Sequence, residues 1–505
     1  MADKGIITWP LSSSPGQRPQ ENRGRLINCY AEPLGEQSGA VWKRAPGATA
    51  YGSTSTSTWN FWGLEVFPFN SPQTPVLPEG IYRGGIFVSN LLYAVVGTKL
   101  VTITNGGSFS IVGTVPGTDK VFFARNFVVP VPDICLVCNA GVFIITSTTI
   151  LPYPDPTVGS PTCVLGMDGF FIFGYGNGDM ITTNVNTTDI NLLNLGRNDS
   201  NPNSGVTQLV SFERQLYSFG ETACEVWSPP VNPSGFPYTK TNYDIRPGLM
   251  AHHAIAGFEP EFGMIPIWVG SDGTVRALIG DRAEKISPPQ LDRLIEAVPQ
   301  VGTTPKHMEA LVYVADGVPF CEISSPTFTW VVNIRNIQDP KWHERISYLG
   351  VRSRFTQSIF AFGTWLCGDN LAEGRMLEII PDLDTEVDLP LIPTIESLPV
   401  EDFPTYIACP RADFEFTPGT GIAAGHDPDQ TNPYCEVSWS DDGGTTWRPP
   451  RFVPLGRQGK TFTKITVWRT GLSGPQGRRW RLSVPSAVHM GFVGGVMRQL
   501  STGWP

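Results

Sequence analysis

Short runs of apolar residues, separated by turn-forming residues, recur along most of the chain. In RGGIFVSNLLYAVVGTKLVTI (residues 83–103), three such runs are divided by Ser-Asn and Gly-Thr pairs, a pattern typical of antiparallel strands joined by tight turns. The pattern predicts an all-β chain built from small repeated sheets. Six further segments repeat it at a spacing of about 40–50 residues, the period of propeller blades, and they cover residues 122–146, 163–185, 207–228, 264–286, 309–334 and 348–380.

One such sheet is unstable by itself, because its edge strands and one of its faces remain in contact with water. Radial stacking of the sheets buries each face against the neighbouring sheet. We therefore predict a β-propeller of six or seven blades over residues 51–395. Periodicity alone leaves a set of β-sandwiches as an alternative.

The pattern changes at both ends of the predicted propeller. Residues 1–50 are rich in proline and other helix-breaking residues, which predicts an extended N-terminal arm. Residues 396–505 again contain strand-like runs, such as CEVSWS and WRLSV, which predict a smaller C-terminal β domain. One amphipathic helix is expected over SPPQLDRLIEAV, residues 287–298, packed beside a blade.

Composition supports this fold class and narrows the functions. The 505 residues include 53 glycines and 46 prolines, which suit many turns, and also 28 phenylalanines and 14 tryptophans, which disordered chains lack. With 36 Lys and Arg against 46 Asp and Glu, the net charge of −10 argues against a protein that grips DNA by its phosphates. A negative net charge keeps many proteins soluble, which is the simplest interpretation. It is also compatible with a protein wall along which DNA moves without binding, because like charges repel.

Charge is unevenly distributed near the C-terminus. Residues 371–415 hold 11 acidic and 2 basic side chains, whereas residues 431–505 hold 10 basic and 3 acidic ones. The cations alternate with aromatic residues, as at protein interfaces and in single-strand binders, although a solvated sheet face is a simpler alternative. A basic region that docks on the acidic region of the next copy would close a ring. The candidate subunit or partner interface consists of Arg448, Arg451, Arg457, Lys460, Arg469, Arg478, Arg479 and Arg481.

The sharpest local motif is SWSDDGGTTW, which resembles the Asp-box hairpin of sialidases and other β-propeller proteins. Its chemistry is that of a turn, because the carboxylate accepts backbone N–H groups, glycine takes a positive φ and tryptophan packs beneath. The motif occurs once and outside the predicted propeller, so we interpret it as a structural hairpin. The matching positions are Ser440, Asp442, Gly444, Thr446 and Trp447.

No catalytic or metal-binding pattern stands out in the sequence. No spacing selects a pair of glycosidase carboxylates or an arginine triad of the sialidase type. The histidines lack zinc-hydrolase spacing, and adjacent His252 and His253 are expected to face opposite sides of an extended chain. Cys135 and Cys138 form a C-x-x-C on a predicted strand, where positions three apart also face opposite sides. We expect no catalytic residue, metal or cofactor; a carbohydrate-binding or glycan-cleaving propeller is the alternative.

Several segments, taken in order, resemble the packaged-DNA stabilisation proteins of short-tailed bacteriophages, which form the tail hub or nozzle. RGRLINCYAEP followed by KRAPGATAYG, with its turn at Arg44, Pro46 and Gly47, is similar to that family's N-terminal segment. TQLVSFERQLYSFGETACEVWSP, GLMAHHAIAGFEPEFGMIPIWVGSDGTVRALIGDRAEKIS and DPKWHERIS with CGDNLAEGRMLEI resemble successive blades. The stretch from SDDGGTTW to WRLSV resembles the terminal strand pair of hub proteins.

The resemblance implies a structural virion protein rather than an enzyme. Such a protein is expected to form a homo-hexameric ring below the portal-adaptor proteins, retain the packaged genome, and let DNA pass during ejection without sequence-specific binding. Its expected partners are other copies of itself, the portal-adaptor proteins, tail fibres or tailspikes, and a tail needle or plug. Its expected location is the virion tail, after assembly in the bacterial host cytoplasm, and no membrane-spanning segment is expected.

Overall fold

The prediction of an all-β chain is confirmed. The computed structural model describes residues 3–33, 39–52, 77–146, 149–199, 205–229, 235–300, 306–371, 373–402, 405–422, 428–460 and 464–501. Within those ranges strands predominate, and no helix is long and apolar enough to cross a membrane. The helices are α1 (Pro289–Ala297) and α2 (Pro428–Thr431), with single 3-10 turns at Pro19–Glu21 and Pro156–Val158.

Helix α1 lies where the sequence predicted an amphipathic helix. Leu291 and Ile295 are buried against the propeller core, whereas Leu294, on the margin of the apolar stripe, is 37% exposed. Ser287 precedes the helix without capping its backbone; its hydroxyl instead accepts the Val275 N–H (3.0 Å) and so ties the start of the helix to the strand that contains Val275.

Five strands occupy the N-terminal residues that the sequence predicted to be extended. Strands β3 and β4 pair with each other, and β1, β2, β4 and β5 pair with strands far along the chain, so these residues are held by later strands. The five strands are β1 (Asp3–Ile7), β2 (Arg25–Ile27), β3 (Cys29–Pro33), β4 (Ala40–Arg44) and β5 (Gly47–Ala50).

The first three propeller blades follow in direct succession. Each is a four-stranded antiparallel meander whose spatial order equals its chain order. Blade 1 comprises β6 (Tyr82–Val88), β7 (Leu91–Val96), β8 (Lys99–Ile103) and β9 (Phe109–Thr114); blade 2 comprises β10 (Phe122–Arg125), β11 (Ile134–Cys138), β12 (Gly141–Ile145) and β13 (Ile150–Pro152); blade 3 comprises β14 (Cys163–Met167), β15 (Phe170–Gly174), β16 (Asp179–Thr183) and β17 (Ile190–Arg197).

Blades 4 to 6 repeat the same meander. The first strand of each blade lies innermost, next to the first strand of a neighbouring blade. Blade 4 comprises β18 (Gln208–Phe212), β19 (Gln215–Phe219), β20 (Cys224–Ser228) and β21 (Thr239–Ile245); blade 5 comprises β22 (Ile255–Ala256), β23 (Ile267–Val269), β24 (Val275–Ile279) and β25 (Arg282–Lys285); blade 6 comprises β26 (Glu309–Ala315), β27 (Val318–Ser324), β28 (Thr329–Asn333) and β29 (Lys341–Glu344).

Blade 7 closes the propeller with a strand from the other end of the chain. Its own three strands are β30 (Phe355–Ala361), β31 (Thr364–Asp369) and β32 (Met376–Ile380). The fourth is β5, which pairs antiparallel with β32 in the register Leu377 to Ala50. Because β30 also packs against β6 of blade 1, the ring of sheets is complete, and the prediction of six or seven blades resolves to seven in the described residues.

The strands after blade 7 are β33 (Thr385–Glu386), β34 (Leu389–Pro390), β35 (Thr394–Glu396), β36 (Ile407–Phe416), β37 (Tyr434–Ser440), β38 (Arg451–Pro454), β39 (Ile465–Trp468), β40 (Arg479–Ser483) and β41 (Gly491–Ser501). Strands β33 and β34 extend the sheet of blade 7 beyond β5, and the others help to form a two-sheet sandwich beside the propeller. One sheet of the sandwich has the order β3-β4-β41-β36-β39, with β1 also paired to β41; the other continues from blade 6 in the order β29-β2-β35-β40-β37-β38. Both ends of the chain therefore build the sandwich.

Aromatic side chains from both chain ends form the sandwich core. Trp9 packs edge-on against Phe492 (4.7 Å between ring centroids) and against Phe414, which in turn contacts the fully buried Trp480 (5.3 Å). Aromatic pairs of this kind stabilise a core beyond the area they bury. The division of the chain into 1–50, 51–395 and 396–505 stays a prediction.

A buried ion cluster joins blade 6 to the segment that follows the propeller. The guanidinium of Arg345 lies 3.0 Å from the carboxylate of Glu386 and 3.5 Å from that of Glu322, and it also donates to the Pro46 carbonyl (2.9 Å). Its side chain is fully buried, and burial raises the pKa of Glu322. A buried charge cluster of this kind depends on every member, because removing one leaves an uncompensated charge.

Candidate functional site

The Asp-box segment forms a self-contained turn. The Asp442 carboxylate accepts the Thr446 backbone N–H (2.9 Å) and the Thr446 hydroxyl, while the Ser440 hydroxyl donates to Asp442 (2.7 Å) and accepts the Gly444 N–H (2.8 Å). Partial burial raises the pKa of Asp442, but these hydrogen bonds outweigh it and lower the pKa to about 2. Gly444 has a φ of +97°, the left-handed region that favours glycine.

Trp447 connects this turn to the sandwich. The Arg481 guanidinium lies over the Trp447 ring at 3.7 Å, and the same guanidinium donates to the Glu396 carboxylate (2.7 Å). This stack places a cation between an aromatic face and a carboxylate, where both attract it. Arg481 is thus engaged by contacts within the chain, although 33% of its side chain remains exposed.

The other basic candidates divide into buried and exposed groups. Arg478 is fully buried and pairs with Asp441 (2.7 Å), and Arg479 is 1% exposed and donates to the Gln20 carbonyl (2.9 Å). These two side chains therefore have no surface to offer a partner in the folded chain. The exposed members of the candidate set are Arg448, Arg451, Arg457, Lys460 and Arg469.

The exposed cations lie around an aromatic edge of the sandwich, which we call the basic edge. It is formed by β38 and β39, the end strands of the two sheets, with Phe452 65% and Trp468 54% exposed. The Arg451 guanidinium donates to the Trp468 carbonyl and lies over the Trp439 ring (4.8 Å). An exposed sheet edge can pair with a strand of another chain, and charged side chains oppose such pairing. The arginines therefore disfavour aggregation through this edge, while its side chains remain exposed to solvent.

Much of the acidic segment is neutralised within the chain. Glu396 pairs with Arg481 (2.7 Å), Glu386 with Arg345 (3.0 Å) and Asp413 with Arg411 (2.7 Å). The separation of charge along the sequence is therefore partly cancelled by folding, and those carboxylates are unavailable to a neighbouring copy.

His252 and His253, which were expected on opposite sides of the chain, both contact the side chain of Phe122 at the propeller centre. His253 stacks on Phe122 (4.2 Å, 18° between planes) and His252 meets Phe122 edge-on (5.8 Å), so the expectation is wrong. The reason is local: His253 has a φ of +59°, so the chain is not extended there. Its Nδ1 lies 3.0 Å from the Gln357 side-chain nitrogen, and burial together with nearby Lys120 lowers its pKa to about 3.

A second central cluster is built around Glu309, the first residue of blade 6. Its carboxylate lies 3.1 Å from the Lys120 ammonium and 2.6 Å from the Arg352 guanidinium, and it accepts the Thr356 hydroxyl (2.7 Å). Burial raises the pKa of Glu309, but Lys120 and Arg352 outweigh it and lower the pKa to about 2. Sequence reasoning missed this cluster, although a carboxylate opening the apolar run EALVYV was a visible signal.

Glu309 and His253 have pKa values that are poorly suited to general acid–base chemistry at neutral pH. Such catalysts work best with a pKa near the working pH, and those of Glu309 and His253 are shifted well away from it. Glu259 lines a neighbouring cavity that also touches Phe122 and His253. Burial raises the pKa of Glu259 to about 7, and its carboxylate accepts the N–H of Gly257 (2.6 Å) within its own loop.

The cysteines belong to the core. Cys135 and Cys138 contribute to different hydrophobic clusters, as expected for strand positions three apart. All nine cysteines are buried and unbridged, which is the behaviour of small apolar side chains.

Comparison with known proteins identifies the family. The sequence model of the family described as bacteriophage P22 Gp10, β-propeller, matches residues 73–378, more than half of the chain. Among solved structures, the chain is similar to BamB from Moraxella catarrhalis (11% identity, 69% of this chain and 93% of that chain covered, TM-score 0.38). It is also similar to the WD40 β-propeller domain of Doa1 (8% identity, 60% and 94% covered, TM-score 0.38). No curated protein matches it. The chain thus belongs to the bacteriophage P22 Gp10 β-propeller stabilisation family.

Proposed function

We propose that this protein is a structural component of a phage tail. It forms a ring, a hub or nozzle, below the portal-adaptor complex, retains the packaged DNA, and docks tail fibres or tailspikes. The observation that carries the proposal is the family match over residues 73–378. The net charge of −10 supports a wall along which DNA slides, because like charges repel.

The basic edge supplies a surface for ring contacts. Exposed arginines beside exposed aromatic residues are enriched at protein interfaces, and the edge combines Phe452 and Trp468 with five exposed cations. Because Arg478, Arg479 and Arg481 are engaged inside the chain, contacts between copies rest on the exposed members. A neighbouring copy then meets this edge with a surface of opposite charge.

Light scattering and negative-stain imaging test the proposal, with the adaptor proteins present and absent. The wild type is expected to form rings with a central channel. The double variant Phe452→Asp/Trp468→Asp should reduce the ring fraction sharply, because it places acids on the interface while leaving the core intact. The matched control is Leu192→Asp/Leu193→Asp, which changes two exposed leucines (58% and 85%) on blade 3. A protein that stays monomeric beside its adaptor ring but binds a glycan array would contradict the hub function.

A further inference from the structure

A cavity of about 370 Å³ opens at the centre of the propeller. Part of its lining comes from the connections that lead from one blade to the next: Lys120 before blade 2, His252 before blade 5, and Lys306 and Met308 before blade 6. A second cavity, of about 500 Å³, adjoins it and shares His252 and Lys306. Cavities of this size hold small organic molecules or single peptide residues.

The wall of the first cavity is mainly apolar. Phe122, Ala251, Pro299 and Met308 contribute hydrophobic surface, and the Phe122 ring is fixed by the His253 ring stacked on it at 4.2 Å. A rigid aromatic wall favours an aromatic or branched aliphatic group, because burying such a group costs no further ordering of the wall.

The charged groups on the wall leave an excess of positive charge. Both wall carboxylates are already matched by arginines outside the lining: Asp119 lies 3.6 Å from Arg83, and Glu309 lies 2.6 Å from Arg352. Lys120 shares the Glu309 carboxylate with Arg352. An anion entering the cavity is therefore attracted.

Lys306 is the group best placed to hold that anion. Its ammonium donates to the Ile295 carbonyl (3.1 Å) and the Glu296 carbonyl (2.8 Å) at the end of helix α1. Both acceptors are neutral, and among the described residues no carboxylate pairs with this ammonium. An ammonium carries three N–H donors, so one remains for a ligand.

We propose that this cavity binds a small amphipathic carboxylate. The apolar part packs on Phe122 and Met308, and the carboxylate accepts a hydrogen bond from Lys306. A free arylalkanoic acid carries this chemistry, and so does the C-terminal residue of a peptide that ends in an aromatic side chain. The residues that form the site all belong to one chain, so binding can be tested on the monomer as well as on the ring.

The first experiment compares 3-phenylpropionate with 3-phenylpropionamide, using calorimetry and ligand-observed NMR on the full-length protein. The acid should bind and the amide should bind about tenfold more weakly, the loss expected for one charged hydrogen bond. Lys306→Met should lower the affinity for the acid by a similar factor and leave the affinity for the amide unchanged. Lys306→Arg should retain most of the affinity for the acid. Lys99→Met, on the outside of blade 1, is the matched control.

Two peptide arms identify the source of the carboxylate. A tripeptide ending in phenylalanine with a free carboxylate is compared with its C-terminal amide. Tighter binding of the free peptide than of 3-phenylpropionate assigns the site to a peptide terminus, and the reverse order assigns it to a free acid. Equal binding of acids and amides, unchanged affinity in Lys306→Met, or no binding of either acid overturns the proposal. Thermal unfolding of each variant confirms that the fold is intact.

Discussion

The propeller and the sandwich are made of the same kinds of strand but are assembled in opposite ways. Blades 1 to 6 each consist of four consecutive strands, so nearly every ladder joins neighbours in sequence. In the sandwich, Ile6 pairs with Val496 and Trp42 with Phe492, across almost the full length of the chain. Bringing together strands that are so far apart in sequence costs conformational entropy before their contacts form. The strands of a meander are joined by turns of a few residues, so their pairing costs much less entropy.

The two regions meet in the first 50 residues. Strand β2 lies between β29 of blade 6 and β35 of the sandwich, and β5 completes blade 7. One short segment thus closes the propeller and also builds half of a sandwich sheet. The propeller, whose strands pair mostly with neighbours in sequence, and the sandwich, whose strands pair across the chain, therefore depend on the same N-terminal strands.

Deleting residues 1–50 should have the largest effect. The sandwich would lose β1 to β4 and blade 7 its outer strand, which exposes the apolar faces they cover. We expect loss of the cooperative unfolding transition in calorimetry and aggregation on expression. Adding the 1–50 fragment during refolding should restore part of the signal. A truncated chain that unfolds like wild type would show that the two regions are energetically separate.

Arg345→Met tests the ion cluster at the junction. It leaves the carboxylates of Glu322 and Glu386 buried beside each other without their cation, so we expect a loss of about 3–5 kcal/mol in the free energy of unfolding. Urea denaturation measures it. Arg335→Met, which is half-exposed and lies 3.7 Å from Glu32, should cost less than about 1 kcal/mol. Equal effects of the two variants would argue against a special role for the cluster.

Glu309→Gln tests the centre of the propeller through its pH dependence. The folded pKa of about 2 lies below the unfolded value of about 4.3, so its contribution is present above pH 4.3 and lost as the pH falls toward 2. The variant should lose up to about 3 kcal/mol at pH 7 and show a shallower acid limb. The control variant Glu284→Gln, at an exposed position, should show the same dependence of stability on pH as the wild type. An unchanged acid limb in Glu309→Gln would contradict the pairing.

Asp442→Ala should have the smallest effect, confined to the hairpin. Removing the carboxylate leaves the Thr446 N–H and hydroxyl without an acceptor, at a cost of about 1 kcal/mol in a partly exposed turn. Chemical denaturation would show the change, with Asp339→Ala on an exposed turn as the control. A loss of glycan binding or glycan cleavage in Asp442→Ala, with stability intact, would instead favour the carbohydrate alternative.

Sequence reasoning succeeded where physical signals were local. The strand runs of the blades and the helix at Pro289–Ala297 both depend on residues close in sequence. It failed for His252 and His253, because the argument assumed an extended chain and the positive φ of His253 departs from one. It also gave no means to sort buried Arg478 from exposed Arg451, since both lie in the same basic, aromatic-rich stretch.

The sequence by itself determined the fold class, the repeat and the family, because alternation, turn residues and motif order are properties of neighbouring residues. Only the tertiary structure decided that seven blades close through β5, that both chain ends share one sandwich, and that Glu309, Lys120 and Arg352 meet at the centre. Those contacts join residues tens to hundreds of positions apart. Their geometry depends on how the sheets pack, and that packing is set by the buried surface of the whole chain.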